Sequence, residues 1–264
     1  MANSDSVAGT GPTLVLPGIR KIGPADLKEV LAKGLEDFKA KPSHIVLLVV
    51  LYPIVGLFLI RLSAGYDVLP LIFPLVAGFA LIGPLAALGL YELSRRMEEG
   101  IDANWRHAFD ILHAPSLRAI VTLSIIMMAI YFAWLAAALA IFEYFFPGWE
   151  PLAVSDFLLQ VFTSPSGWRL IVVGCGVGFL FAVVVLAVSV VSFPMLLDRK
   201  VSAWTAIQTS IRAVAANPVA MAMWGFIVAA LLFIGSLPFL FGLSVVMPVI
   251  GHATWHLYRK VVER

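Results

Sequence analysis

Long stretches without a charged residue alternate with short polar segments along the 264-residue chain. Five such apolar stretches cover residues 45–60, 68–91, 119–142, 170–197 and 219–251. A helix that crosses the hydrocarbon core of a bilayer needs about 20 apolar residues. All but the first stretch exceed this length, and the first reaches it if His44 and Arg61 lie at the two interfaces, where a long cationic side chain extends to water. Each stretch therefore predicts at least one membrane-spanning helix.

The last stretch, 219–251, is long enough to cross the bilayer twice. Ser236-Leu237-Pro238 and then Gly242 interrupt it, and proline and glycine are the residues that most often break helices. We therefore expect two short spans joined by a tight turn at this point. With this division, the chain is predicted to cross the membrane about six times.

Amphipathic segments precede most of the apolar stretches. From Pro24, apolar residues recur at helical spacing opposite a charged face, which is typical of a helix lying at a membrane interface. The apolar positions are Leu27, Val30, Leu31, Leu35 and Phe38, and the charged positions are Lys28, Glu29, Lys33, Glu36, Asp37 and Lys39. We expect this helix to end at Lys41-Pro42, because proline steers the preceding residue out of the α conformation. Similar segments at 104–114, 155–164 and 203–217 each end directly before a proline.

The composition excludes a soluble globular domain. Apolar residues make up 61% of the chain and charged residues 13%, and the mean hydropathy is +0.97, so the chain lacks the charged residues that a water-facing surface requires. The sequence predicts an all-α polytopic membrane protein of about six transmembrane helices, arranged as three hairpins that are each preceded by an amphipathic interfacial helix. Residues 1–17 are expected to form a disordered tail, and residues 18–264 a single transmembrane domain.

Basic residues are unevenly distributed between the two sides that six crossings define. If the N-terminus is cytoplasmic, 16 of the 18 Lys and Arg residues lie in the cytoplasm and only Arg61 and Arg169 lie outside. Cytoplasmic loops of membrane proteins carry such an excess of basic residues. We therefore predict that both termini face the cytoplasm. The net charge of +2 is too small to indicate a nucleic-acid partner, so the predicted partner is the lipid bilayer.

Three parts of the chain share the same order of features. Each has an amphipathic helix at the membrane interface, then two membrane-spanning helices joined as a hairpin, then basic residues where the second helix leaves the membrane. Tyr91 and Trp255 stand at the same distance after Pro84 and Pro248, and an arginine follows four residues later in both. This correspondence predicts internal repeats at 24–98, 103–200 and 202–263. The alternative interpretation is chance similarity, because prolines, aromatic belts and basic flanks are common to membrane helices.

Several segments are familiar as short motifs. They are GYDVLP at 65–70, Gly83-Pro84 followed by YELSRR at 91–96, WRHAF at 105–109 and GHATWHLYR at 251–259. Together they resemble a family of bacterial inner-membrane proteins catalogued as domain of unknown function 2189, from about residue 18 to the C-terminus. The resemblance implies a helical membrane fold in the inner (cytoplasmic) membrane, and it implies no activity.

Histidines are the candidates for cofactor contact. His252 and His256 stand four residues apart, so both project from one face of a helix and could ligate a metal or contact a haem. His107 would share their membrane boundary if the helices close there. The alternative interpretation is interfacial anchoring beside Trp255 and Tyr258. Because no third ligand lies within a turn of the pair, neither a metal site nor a cofactor is predicted.

Other candidate residues concern helix packing and the membrane surface. Glycines in spans two and four favour close approach of helices, and these are Gly78, Gly83, Gly89, Gly174 and Gly178. Aromatic and basic residues near the boundaries are expected to contact lipid headgroups or a partner, and these are Trp105, Trp204, Tyr91, Arg95, Arg96, Trp255 and Arg259. Glu92 is expected to pair with Arg96 across one helical turn.

The motif search favours a protein without catalytic chemistry. The sequence contains neither a Gly-x-Ser-x-Gly elbow, an H-E-x-x-H motif nor a Walker sequence. Its apolar stretches contain no acidic or basic residue for coupled ion transport. We expect a non-enzymatic inner-membrane protein that acts as an accessory, assembly or scaffold partner of a larger membrane complex. A small transporter or channel for an uncharged or lipid-like solute, and a haem- or metal-binding membrane protein, are the alternatives.

Overall fold

A computed structural model of the protein describes residues 16–41, 56, 70–81, 83–149, 154–237 and 242–264. Within these ranges the regular structure is helical, apart from one isolated antiparallel bridge between Ile19 and Val262. The all-α prediction is therefore confirmed for this part of the chain. The predicted first span at 45–60, except Gly56, and nearly all of the predicted disordered tail at 1–17 lie outside the described residues.

Eleven α-helices and one 3-10 helix follow one another within these ranges. They are α1 (Pro24–Ala40), α2 (Ile72–Leu81), α3 (Gly83–Ala86), α4 (Leu88–Glu98), the 3-10 helix (Trp105–His113), α5 (Leu117–Phe145), α6 (Val154–Thr163), α7 (Pro165–Ser189), α8 (Ser192–Asp198), α9 (Ala203–Ala216), α10 (Pro218–Ser236) and α11 (Leu243–Val261). Proline occupies the first turn of α1, α7 and α10, where its missing N–H leaves no hydrogen bond unmade. The prolines therefore start these helices.

Three helical segments of the described chain are long and apolar enough to cross a membrane. They are Leu117–Phe145, which is α5, Pro165–Asp198, in which α7 continues into α8, and Pro218–Ser236, which is α10. These segments correspond to the predicted spans three, four and five. The last predicted break also lies where expected, because α10 ends at Ser236 and α11 begins at Leu243. The arrangement of six spans in three hairpins, like the threefold repeat, stays a prediction.

The segments predicted as interfacial helices are helical but differ in their surroundings. The 3-10 helix and α6 expose large apolar side chains, among them Phe109, Leu112, Leu159 and Phe162. In contrast, α1 buries Leu27, Val30, Gly34 and Phe38 and packs them mainly against α11. Leu35, which the periodicity placed on the apolar face, is 39% exposed. The apolar face of α1 therefore contacts protein within the described structure.

A region rich in buried side chains is the four-helix junction, where the ends of α4 and α8 meet α1 and the second half of α11. Its fully buried side chains are Leu27, Val30, Tyr91, Leu93, Phe193, Leu196, Trp255, Leu257 and Tyr258. The two ends of the described chain join the same region, since the Arg20 amide donates to the Val261 carbonyl at 2.8 Å and the Glu263 amide donates to the Gly18 carbonyl at 3.0 Å. Burial of these apolar side chains is the main stabilising contribution here.

Candidate polar site at the four-helix junction

A carboxylate of α1 joins two other helices inside the four-helix junction. Asp37 Oδ2 accepts a hydrogen bond from the Ser94 hydroxyl of α4 at 2.7 Å and lies 2.8 Å from His256 Nε2 of α11. The Ser94 hydroxyl also lies 2.6 Å from His252 Nδ1. His252 is completely buried, while the side chains of Asp37 and His256 are 17% and 15% exposed. The cluster therefore fixes the relative positions of α1, α4 and α11.

The protonation of Asp37 depends on these neighbours. Burial alone would raise the pKa of its carboxyl group, but the hydrogen bonds from His256 and Ser94 and the two nearby imidazoles outweigh burial and lower the pKa below its ordinary value. Asp37 is therefore a charged acceptor at neutral pH. A charged acceptor strengthens both of its hydrogen bonds.

A second carboxylate cluster involves the neighbouring positions Trp255 and Arg259 of α11. Glu98 accepts from the Trp255 indole N–H at 2.9 Å and pairs with the Arg259 guanidinium at 2.9 Å. Burial acts to raise the pKa of Glu98, but hydrogen bonds from Arg259 and Trp255 lower it overall. Arg259 also pairs with Asp198 of α8 at 3.2 Å, and the Tyr258 hydroxyl donates to the same carboxylate at 2.5 Å. These contacts tie α4, α8 and α11 together.

Glu92 forms the third cluster and is the most deeply buried carboxylate of α4. Its side chain, only 6% exposed, pairs with Arg95 at 2.7 Å and with Arg96 at 2.9 Å. Arg96 extends the cluster to Asp110 of the 3-10 helix at 2.7 Å. The predicted pairing of Glu92 with Arg96 is thus confirmed. These charges are largely withdrawn from water and are stabilised by their mutual hydrogen bonds. Replacing one member by a neutral residue would therefore leave the charge of its partner without compensation.

Two cavities are bounded by described residues. One, of about 340 Å³, lies between α4, the 3-10 helix and α8, and its lining includes the Glu92–Arg96 pair. The other, of about 350 Å³, is lined almost entirely by apolar and aromatic side chains of α2, α5, α6 and α7, including Phe73, Trp134 and Phe157. The two cavities therefore suit ligands of different chemistry, one polar and one apolar.

The histidine candidates do not assemble a metal site. His252 and His256 are engaged with Ser94 and Asp37, and His107 Nδ1 instead accepts from the Asn104 backbone amide at 3.1 Å. In the part of the chain that the structure describes, no group of three or more His, Cys, Asp or Glu side chains is placed to hold a metal ion. Burial of His252 also corrects the alternative interpretation of this residue as an interfacial anchor, because a fully buried ring cannot contact headgroups.

Three of the glycine candidates lie at tight helix contacts. A side-chain carbon at Gly78 would come within 2.6 Å of Tyr131, at Gly89 within 2.9 Å of Ala108, and at Gly178 within 3.0 Å of Trp134. At Gly83 and Gly174, a side-chain carbon would meet no atom of the described residues within 4 Å. For these two glycines, helix packing stays a prediction.

The aromatic and basic candidates divide into two groups. Trp105 and Trp204 are 38% and 65% exposed and are free to contact lipid or a partner. Tyr91 and Trp255 are 2% and 1% exposed, so the prediction that they contact lipid or a partner is wrong. Their rings face the protein interior because α1 and α4 pack over α11. The remaining candidates, Arg95, Arg96 and Arg259, are held in the ion pairs described above.

Sequence reasoning missed the acidic residues that organise the junction, Asp37, Glu98 and Asp198. Asp37 carried a usable signal, because it continues the buried series Leu27, Val30 and Gly34 at helical spacing. Glu98 and Asp198 carried no such signal. Their partners Trp255 and Arg259 are remote in sequence, and nothing in the local pattern indicates them.

Comparison with known proteins gives a family and no closer relative. Residues 72–198 match the family DUF2189, described as "Predicted integral membrane protein". Neither the curated proteins nor the solved structures gave a match to the chain. The match begins in α2 and ends with α8, so it is shorter than the predicted resemblance from residue 18 onward, and it includes two of the three membrane-spanning segments. Over residues 72–198, this integral membrane protein matches the model of the family of domain of unknown function 2189.

Proposed function

We propose that the protein is a non-enzymatic scaffold of the bacterial inner membrane, which binds a transmembrane helix of another membrane protein through α7. The supporting observation is the unequal burial of the three membrane-spanning segments. Each segment contains a most apolar stretch of 18 residues. In Pro165–Asp198, 6% of this stretch is buried, compared with 22% in Leu117–Phe145 and 22% in Pro218–Ser236. Among the described residues, α7 is thus the span that contributes least to packing within its own chain.

The exposed side of α7 forms one continuous face along the helix. Its side chains follow one another at helical spacing and are Val172, Val173, Phe179, Leu180, Val183 and Val184, each between 41% and 68% exposed. Gly176 lies in the middle of this face, and a side-chain carbon there would meet no described atom within 4 Å. A glycine between large apolar residues allows the backbone of a second helix to approach closely, which is how membrane helices gain packing energy.

The chain offers a built-in probe beside this face. Cys175 is its only cysteine, it is exposed, and it lines the apolar cavity about 100° around the helix from Gly176, so a flexible reagent attached to it can reach a helix packed on the face. A photoreactive benzophenone attached to Cys175 in isolated membranes should form one discrete protein adduct after illumination. Gly176→Leu should reduce this adduct at least about fivefold, because the new side chain prevents the close approach. Ala129→Leu, a similar enlargement on α5, should leave the adduct unchanged.

Two results would contradict the scaffold function. One is an adduct that persists at full yield in Gly176→Leu, and the other is labelling of lipid alone with no protein adduct. A Cys175→Ala variant treated in the same way defines the background. The identity of the adduct would then name the complex in which the protein acts.

A second candidate function is transport of an uncharged or lipid-like solute. The apolar cavity of about 350 Å³ between α2, α5, α6 and α7 favours it, since cavities of this size and lining suit small apolar ligands. Trp134 donates its indole N–H to the Pro74 carbonyl at 2.9 Å and so contributes little polarity to the cavity. Protein-dependent flux of such a solute into liposomes would favour this candidate over the scaffold.

A further inference from the structure

The polar cavity of about 340 Å³ lies where two membrane-spanning segments end. Pro115 and Ser116, directly before α5, line it on one side, and Asp198, the last residue of the span Pro165–Asp198, lines it on the other. The Ser116 hydroxyl donates to the Leu196 carbonyl and so holds the two helix ends together. Because a span begins and another ends here, the cavity lies at the depth of the lipid headgroups.

The acidic side chains that line the cavity already form ion pairs with basic side chains of the same chain. Glu92 pairs with Arg95 and Arg96, and Asp110 pairs with Arg96. Asp198 pairs with Arg259 and also accepts from Tyr258. These carboxylates are therefore largely neutralised from within the chain.

Basic groups at the end of α8 are less compensated. Lys200 is exposed and forms no ion pair with any described residue. Arg199 contacts Asp198 through Nε at 3.4 Å and the Glu263 carbonyl through Nη2, and its guanidinium also interacts with the Tyr258 hydroxyl. His113 lines the opposite wall. The cavity therefore presents an ammonium group that has no ion-pair partner among the described residues, and its lining holds four Lys and Arg side chains against three carboxylates.

Exposed apolar side chains lie on the two elements that flank the cavity, outside its lining. On the 3-10 helix, Leu112 is 59% and Phe109 is 51% exposed. On α5, Val121 and Ile125 are 48% and 64% exposed. A polar, cationic cavity beside an exposed apolar helix surface matches the two parts of a phospholipid, its headgroup and its acyl chains.

We propose that this cavity binds the headgroup phosphate of an anionic phospholipid, with Lys200 and Arg199 as the principal donors. The acyl chains lie along the exposed surface of α5. A zwitterionic headgroup fits less well, because its ammonium group would meet the same cationic side chains. The site does not depend on a protein partner, so it stands or falls separately from the scaffold function.

Native mass spectrometry of the full-length protein in a neutral detergent tests the site. Phosphatidylglycerol should bind at least about fivefold more tightly than phosphatidylcholine, the factor expected for one cation near an anionic surface. Lys200→Gln should weaken phosphatidylglycerol binding about fivefold without lowering the melting temperature, since the exposed Lys200 side chain forms no ion pair with a described residue. Arg212→Gln is the matched control, because Arg212 is an exposed cation of α9 outside the cavity lining, and it should bind like the wild type.

Three outcomes would overturn the site. Equal binding of the two phospholipids would show that the headgroup charge is not recognised. Equal losses in Lys200→Gln and Arg212→Gln would show attraction to general surface charge and not to this cavity. Displacement of phosphatidylglycerol by an equimolar concentration of inorganic phosphate would show that the cavity takes a free anion and not a lipid.

Discussion

Asp37 illustrates how one side chain fixes three helices. It lies on α1, accepts from Ser94 of α4 and contacts His256 of α11, and it is only 17% exposed. A buried carboxylate at such a position is stable only because several donors compensate for its loss of water. Removing the charge should therefore weaken the contact of α1 with the rest of the junction.

Asp37→Asn tests this role with little change of volume. Oδ2 makes both contacts, so the amide oxygen can keep this position as a neutral acceptor while the NH₂ group replaces Oδ1, and the two hydrogen bonds lose their charged acceptor. We expect a loss of about 1.5–3 kcal/mol in the free energy of unfolding, the range for a hydrogen bond to a charged group. Thermal unfolding in detergent measures it. Glu36→Gln, on the exposed side of the same helix, should change the stability by no more than about 0.5 kcal/mol.

The same pair of proteins gives a pH signature. The pKa of Asp37 is lowered in the folded state from its ordinary value of 3.8, so its contribution is present above that value and is lost as the pH falls through the folded pKa. The stability difference between wild type and Asp37→Asn should therefore shrink as the pH falls below about pH 4. A difference that does not change with acidification would show that the charge is not what stabilises the junction.

Among the helices, α1 and α11 cross at a close approach that a glycine permits. A side-chain carbon at Gly34 would lie 2.6 Å from the Ala253 backbone nitrogen and 2.7 Å from the Val249 carbonyl oxygen. Backbone atoms of a packed helix cannot move away cheaply, so Gly34→Ala should destabilise the protein by at least about 1–3 kcal/mol. Ala32→Leu, on the exposed side of α1, is the control. Unchanged thermal unfolding of Gly34→Ala in detergent would refute the close crossing.

The elements that the sequence predicted well are those set by local pattern. Length and lack of charge identified α5, α7 and α10, and prolines gave the start of α7 and α10 to within a residue. The 3-10 helix was less predictable. The spacing of Trp105, Phe109 and Leu112 favours an α-helix, in which all three side chains would lie on one face. The segment forms a 3-10 helix with three residues per turn, in which only Phe109 and Leu112 share a face. Nine residues are too few for the periodicity to distinguish the two helix types.

Contacts between remote segments explain the remaining differences. The aromatic belt rule placed Tyr91 and Trp255 at the lipid surface, yet α1 and α4 pack over α11 and both rings are buried. Likewise, the residue type of Asp37 indicated a water-facing position, whereas its spacing from Gly34 placed it beside the buried face. Such positions depend on which helices meet, and one sequence carries no signal for that choice.

At the scale of the whole molecule, the two ends of the chain restrict the membrane topology. The segment around Ile19 pairs with the segment around Val262 through two backbone hydrogen bonds. Paired segments lie on the same side of a membrane, so an even number of crossings must separate them. The six-span arrangement satisfies this condition, and the uneven distribution of Lys and Arg supports a cytoplasmic position for both ends.

Cysteine accessibility tests this topology directly. In a Cys175→Ala background, Lys28→Cys and Arg264→Cys introduce thiols near the two ends, and Arg169→Cys introduces one on the predicted outer side. In intact cells, a membrane-impermeant maleimide should label only the variant at position 169, and the other two should react after the cells are opened. The reason is that the two paired ends share one compartment, while position 169 precedes the apolar part of α7. Labelling of the two end positions from opposite compartments would be incompatible with their pairing, and labelling of both from outside would reverse the orientation that the basic residues indicate.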